Sequence, residues 1–234
     1  MKIVRESLKQ IKLAILGEVV MSPELESIAA SIFDNRIPAE WLKRSYPSLK
    51  PLASYIVDFA ARLKFMRDWI DKDVPPVFWM SGFYFTQSFL TGLKQDFARK
   101  YTIAIDKIDF MFEVCSNEAE YNFRKSAPEG AYVEGLFIEG CRWDDKMSVL
   151  AESHPKILLT RMPKMWIKPE SIDKIAHGHV YECPLYKTLE RFGTLSTTGH
   201  STNFVVETML NMQQKHEQGH WIKRGVAMVT QDND

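Results

Sequence analysis

The stretch QSFLTGLKQDFARKYTIAIDKIDFMFEV, residues 87–114, changes its hydrophobic period part-way along. Over Gln87 to Lys100, Phe89, Leu90, Leu93 and Phe97 recur at the spacing of one helix face. From about residue 102 the period becomes two. Ile108, Phe110, Phe112 and Val114 alternate with Asp109, Met111 and Glu113, as in a strand with one buried side. A chain that is helical before this point and β after it is an α+β protein. The expected organisation is a helical part over residues 1–101, then an antiparallel β-barrel or barrel-like sandwich over 102–234.

Upstream, the helical period holds. Val4, Leu8, Ile11 and Ile15 form one stripe, and Gly17 stands where a C-terminal cap would end it. In SPELESIAASIF, Ser22 is an N-cap residue, Pro23 suits the first helical position, and Glu24 and Glu26 favour the positive end of the dipole. Leu25, Ile28, Ala29, Ile32 and Phe33 supply its apolar side. After Pro38, Pro47 and Pro51, a longer helix is written with Leu52, Tyr55, Ile56, Phe59, Leu63, Met66 and Ile70 as its buried face. Downstream, GAYVEGLFIEG reads as one strand. KILL, KMWIK, HVYECPLY, NFVVETMLN (inward Phe204, Val206, Thr208 and Leu210) and WIKRGVAMVTQ read as further short strands.

Composition narrows the function. Among 234 residues, 45% are hydrophobic and 26% charged, enough apolar content for a core. Thirty basic residues balance thirty acidic ones, so the basic footprint of a nucleic-acid or anionic-membrane binder is missing. Neither nucleic acid nor membrane is expected as a partner. Cys115, Cys141 and Cys183 are odd in number and form no C-x-x-C, which suits a reducing compartment. The first sixteen residues carry charges throughout, unlike a signal peptide, and a soluble intracellular protein is expected.

Five stretches invite chemistry. His216-Glu217-Gln218-Gly219-His220 matches the H-E-x-x-H of zinc peptidases, in which two His a helical turn apart share a metal and the Glu is general base. Here the match lies between strand-like segments, Gly219 costs about 1 kcal/mol of helix stability, and no downstream third ligand remains except Asp232 or Asp234. It reads as a polar loop entering the last strand, with no metal assigned. Gly193 to Thr202 has neither the spacing nor the Lys of a phosphate loop, and Ser201 lacks the glycine of a nucleophile elbow. His177, His179 and Cys183 sit in irregular sequence and read as a solvated loop. Asp144 and Asp145 read as a solvated turn. The aromatic run FWMSGFYF, residues 78–85, lacks interleaved basic residues and reads as core or packing surface. No catalytic, cofactor or metal residue is assigned.

Longer stretches carry a resemblance. FWMSGFYFTQSFLTGLKQDFARKY (78–101), GAYVEGLFIEGCRWD (130–144), ESHPKILLTRMPKMWIKP (152–169), YECPLYKTLERFGTLSTTGHSTNFV (181–205) and HWIKRGVAMV (220–229) resemble the C-terminal region of dynein heavy chains, in order and without large gaps. The block from Tyr181 to Phe204 looks like the axonemal branch. Asp96 and Phe192 depart from the family pattern, where Asn and Arg are expected.

The resemblance implies a helical part followed by a β-barrel lying on a ring of AAA+ modules, with residues 1 to about 20 as the link from the last module. It implies a non-catalytic cap that regulates an ATP-driven microtubule motor in the axoneme of a cilium or flagellum. ATP and Mg would be bound by ring modules outside these residues, and microtubules would be met only through the parent motor's stalk. The implied partners are the AAA+ ring of the same heavy chain and other dynein complex subunits. A module that binds another axonemal subunit or a light chain is the alternative. Phe78, Trp79, Phe83 and Phe85, with Thr194, Ser196, Thr198 and His200, are the candidate ring contacts.

Overall fold

The computed structural model describes residues 2–175, 178–191 and 202–233. It divides into two compact units, Met1–Ala61 with Asn233–Asp234, and Arg62–Asp232. The dividing point falls within a helix rather than at residue 101, where the hydrophobic period changes.

The first unit contains α1 (Lys2–Ile15), α2 (Pro23–Phe33), α3 (Ala39–Leu42) and the opening turns of α4 (Leu52–Asp71). Gly17 ends α1 with a φ of 75°. Its N–H reaches Ala14 O at 3.1 Å and that of Glu18 reaches Leu13 O at 2.9 Å, the paired bonds of a Schellman cap. Ser22 caps α2 by accepting from the Leu25 N–H at 3.3 Å. Ser22→Ala is therefore expected to cost about 1 kcal/mol, read as a lower denaturation midpoint of the helical unit.

Ile11, Ile28 and Trp41 form the centre, with Ile3, Val4, Leu25, Ala29, Ile32, Ile37 and Leu52 packed around them. The α1 stripe is rotated from the expected one. Ser7 is buried, whereas Leu8 and Ile15 are exposed. The cause is polar: the Trp41 indole N–H donates to Ser7 Oγ at 3.0 Å, and Ser7 in turn donates to Val4 O at 3.1 Å. Phe33 is 91% exposed despite its place in the α2 stripe.

On α4, Tyr55 and Phe59 are buried and stack with ring centroids 5.9 Å apart. The buried line continues through Arg62 to Phe65 and Trp69, so Ile56 and Ile70 face outward, against the expected face.

The second unit adds β1 (Val77–Trp79), α5 (Thr86–Tyr101) and β2 (Ile108–Val114). Leu90 and Phe97 on α5 are buried, and Thr102, with a φ of 54°, terminates the helix. β2 buries Ile108 and Phe110 and exposes Asp109 and Met111, as its period requires. Then come β3 (Ala131–Glu134), β4 (Phe137–Glu139), β5 (Arg142–Asp144), β6 (Val149–Ala151), β7 (Leu159–Arg161), β8 (Met165–Ser171), β9 (Val180–Tyr186), β10 (Phe204–Asn211), α6 (Gln218–Ile222) and β11 (Ala227–Val229).

The strands form a four-stranded sheet in the order β1-β3-β8-β2, a five-stranded sheet β10-β9-β11-β4-β7 and the hairpin β5-β6. Most pairings are antiparallel, but β1 runs parallel to β3 and β11 parallel to β9. GAYVEGLFIEG is two strands rather than one. Gly135, with a φ of 80°, turns the backbone out of the first sheet and into the second, and a Cβ there would meet the Trp79 ring at 2.5 Å.

On β10 a register shift lies between Phe204 and Val206. The extra residue reverses the alternation at that end, so Val205 is buried and Phe204 and Val206 only half-buried. Residues 221–231 are not one strand: Trp221 and Ile222 close α6, and only Ala227–Val229 joins the sheet.

One core cluster draws on both sheets, including Phe110, Val133, Met165 and Ile167 from the first and Ile138, Tyr181, Leu185, Leu210 and Met228 from the second. No ladder links the sheets among the described residues, so of the expected barrel or barrel-like sandwich the closed barrel is not formed there. The edge strands β2 and β10 instead line two adjoining clefts of about 300 and 230 Å³, which share Met111, Phe112, Met209 and Asn211.

Candidate functional site

The aromatic run assembles around α4 and α5. Phe78 meets the Trp69 ring edge-on at 5.2 Å and Phe89 at 4.9 Å. Phe83 stacks on Phe89 at 4.4 Å, and Phe65 stands edge-on to both Trp79 and Phe83. Phe78 is buried, while Trp79 and Phe83 are half-buried. Phe85 is 61% exposed at the start of α5 and is the one of the four that presents most of its ring.

Beneath them lies Arg62, 1% exposed, which the sequence did not single out. Its guanidinium sits 5.6 Å from the Trp79 ring and donates to Ser81 O. Ser81 Oγ donates to Thr230 O, tying the run to the strand end after β11. Thr194, Ser196, Thr198 and His200 lie outside the described residues, as do Phe192 and His177. On either side of residues 192–201, the Lys187 N–H donates to Asn203 O at 2.9 Å, and Asn203 Nδ2 donates to Thr188 Oγ1 at 2.9 Å.

In the larger cleft, Glu113 accepts from Lys168 and from the Tyr121 hydroxyl. Burial raises its pKa, but these two bonds outweigh it and hold the carboxyl below the usual range. Lys168 also lies 3.7 Å from the Trp166 ring, so the charges are mutually satisfied. Burial pushes the Cys115 thiol up to about 11 and that of Cys183 to about 12, leaving both neutral at physiological pH. His179 is also committed: its Nε2–H donates to Gln213 O at 3.1 Å and His216 O at 2.8 Å.

At His216 to His220 the sequence reading needs correction. A short helix does form, with Gln218, Gly219 and His220 in α6, although His216 lies before it. The Gln218 side chain accepts from the Glu182 N–H at 3.1 Å and donates to Val180 O at 2.7 Å, extending the edge of β9 as a strand would.

A third potential ligand comes from upstream. His220 Nε2 lies 2.8 Å from Oε1 of Glu152, which directly follows β6, and Arg224 Nε donates to Oε2 at 2.9 Å. The His216 and His220 rings stack 3.9 Å apart, and Trp221 stands edge-on to both. Burial, and then the neighbouring His220, lower the pKa of His216. Burial raises that of Glu152, but the bonds from His220 and Arg224 bring it down overall. Glu217, the residue a peptidase would use as base, is exposed and outside this group.

The family model for the C-terminal domain of the dynein heavy chain matches residues 1–230. The protein belongs to this family. Similar proteins include dynein axonemal heavy chain 12 of Mus musculus, 52% identical over 229 residues, which cover 97% of this sequence and 7% of that protein. Dynein axonemal heavy chain 3 of Homo sapiens is 52% identical over 232 residues, 98% of this sequence and 6% of that protein. Dynein axonemal heavy chain 1 of Mus musculus is 49% identical over 229 residues, 98% of this sequence and 5% of that protein. This dynein C-terminal domain thus spans well under a tenth of the length of the relatives it matches. Within the family frame, the aromatic run is a structural junction with one outward ring, Phe85.

Proposed function

We propose that this domain is a non-catalytic cap of an axonemal dynein heavy chain, packing on the AAA+ ring and regulating ATP-driven movement along microtubules. The observation that carries the reading is the match over residues 1–230, with axonemal heavy chains near 50% identity across its length. ATP and Mg²⁺ belong, on this reading, to ring modules outside these residues, in a motor working in the axoneme of a cilium or flagellum.

Phe85 supports a docking role. Its ring, 61% exposed at the start of α5, is available for a partner surface to bury, as an aromatic anchor would be. Phe78, Trp79 and Phe83 pack into the junction with Phe65, Trp69 and Phe89 rather than offering much surface. A cap held this way favours ring conformations that fit its face, and so biases how nucleotide-driven rearrangement becomes displacement.

Phe85→Asp in the complete motor tests this. At an exposed position the substitution leaves the domain folded, while it removes an anchor worth about 2 kcal/mol to the contact. The expected result is faster amide hydrogen exchange in residues 83–90 together with altered microtubule-gliding velocity. Unchanged exchange and velocity would dismiss Phe85 as a ring contact. If the isolated domain instead captured a light chain through this face, the interaction-module reading would replace the cap.

A further inference from the structure

We propose that Glu152, His216 and His220 form a binding site for a divalent transition-metal ion of the zinc class, which clamps the segment entering α6 to the end of β6. One ligand atom from each residue lies within 4.8 Å of the other two. Ligands around a tetrahedral zinc stand roughly 3.3 Å apart, as follows from metal–ligand bonds of about 2.0 Å, so the ligand atoms are near enough. Binding requires the two stacked imidazoles to rotate out of their parallel pose until both ring planes meet the ion. Two imidazoles and one carboxylate are a donor set that zinc accepts.

The surrounding bonds prepare the site. Arg224 Nε holds Glu152 by Oε2 and leaves Oε1 facing His220 Nε2 at 2.8 Å, where a cation replaces the shared proton. The buried Nδ1 of His216 has no hydrogen-bond partner among the described residues, so no protein bond has to break at that atom. His179 and Gln218 anchor the backbone on either side, through His216 O and through β9. The Arg224 charge opposes the ion and weakens its binding relative to a closed structural site.

The role is structural rather than peptidolytic. Glu152 and His220 are 68 positions apart, so the ion cross-links distant segments. Glu217, exposed and outside the triad, is not placed as a general base.

The test titrates the metal-free 234-residue protein with zinc by calorimetry and with cobalt by absorbance. The expected result is one equivalent bound, with the visible d–d bands of four- or five-coordinate cobalt and no thiolate charge-transfer band from the three cysteines. Glu152→Gln, His216→Ala and His220→Ala should each weaken binding about tenfold or more, with circular dichroism unchanged. Because Glu152→Gln keeps the size of the side chain and one oxygen to accept from Arg224, it separates loss of the carboxylate ligand from loss of fold. No binding at submillimolar zinc, thiolate bands in the cobalt spectrum, or binding that survives all three substitutions would overturn the proposal.

Discussion

Trp221→Ala is expected to destabilise the unit of residues 62–232 by about 3–5 kcal/mol. Trp221 is 0% exposed and is a member of the core cluster that draws on both sheets. Its carbonyl accepts from the Val226 N–H at 3.1 Å, bending the backbone from α6 towards β11. Removing the indole leaves a cavity that the β11 side cannot easily fill, because Val226 to Val229 are themselves fully packed. It also strips the edge-on wall from His216 and His220. Urea denaturation followed by circular dichroism measures the loss. A shift below about 0.5 kcal/mol, the range of ordinary surface changes, would show that α6 is not built into the core.

Gly130→Ala should cost about 3 kcal/mol or more, for a different reason. Gly130 has a φ of 67°, and a Cβ there would run into the carbonyl oxygen of Ile167 and approach Pro169 Cδ at 2.7 Å. Ile167 belongs to β8, which pairs with strands on both sides, so the obstacle is sheet backbone and cannot swing away. Gly17→Ala provides the control. Its φ of 75° is similar, but nothing lies within 4 Å of the added carbon, so only the backbone term of about 1 kcal/mol applies. Equal midpoint shifts for the two variants would contradict the close approach of residue 130 to β8.

These sites show what could and could not be read from the sequence. The cap of α2, the glycine stop of α1, the stripe of α5 and the alternation of β2 are local, and each was legible from its own residues. Failures occurred where a distant partner set the outcome. Ser7 faces inward because Trp41, 34 positions away, needs an acceptor. Arg62 lies among Lys64 and Arg67 in sequence and looks solvated, yet it is buried through Trp79 and Ser81. The extra residue at Val205 shifts the inward face of β10 without any glycine or proline to mark it. The same limit hid the third potential ligand. A search downstream of His220 offers only Asp232 and Asp234, whereas Glu152 arrives from the β5-β6 hairpin upstream. The Gly135 corner was visible as a glycine, but its role in passing the backbone between sheets depends on the Trp79 ring beside it.

The chemistry of the site follows the same division. The unreactive state of the cysteines depends on burial, and Glu113 looks like an available carboxylate until Lys168 and Tyr121 are placed beside it. The family resemblance supplied the setting of the domain, while the placement of Phe85, Arg62 and Glu152 required the fold.

The most direct test of the cap reading is to remove this domain from the complete motor and measure microtubule-gliding velocity together with microtubule-stimulated ATPase. If the domain restrains the ring, velocity per ATP hydrolysed changes while nucleotide binding by the ring modules persists. A truncated motor whose velocity and ATPase match those of the intact one would contradict the account.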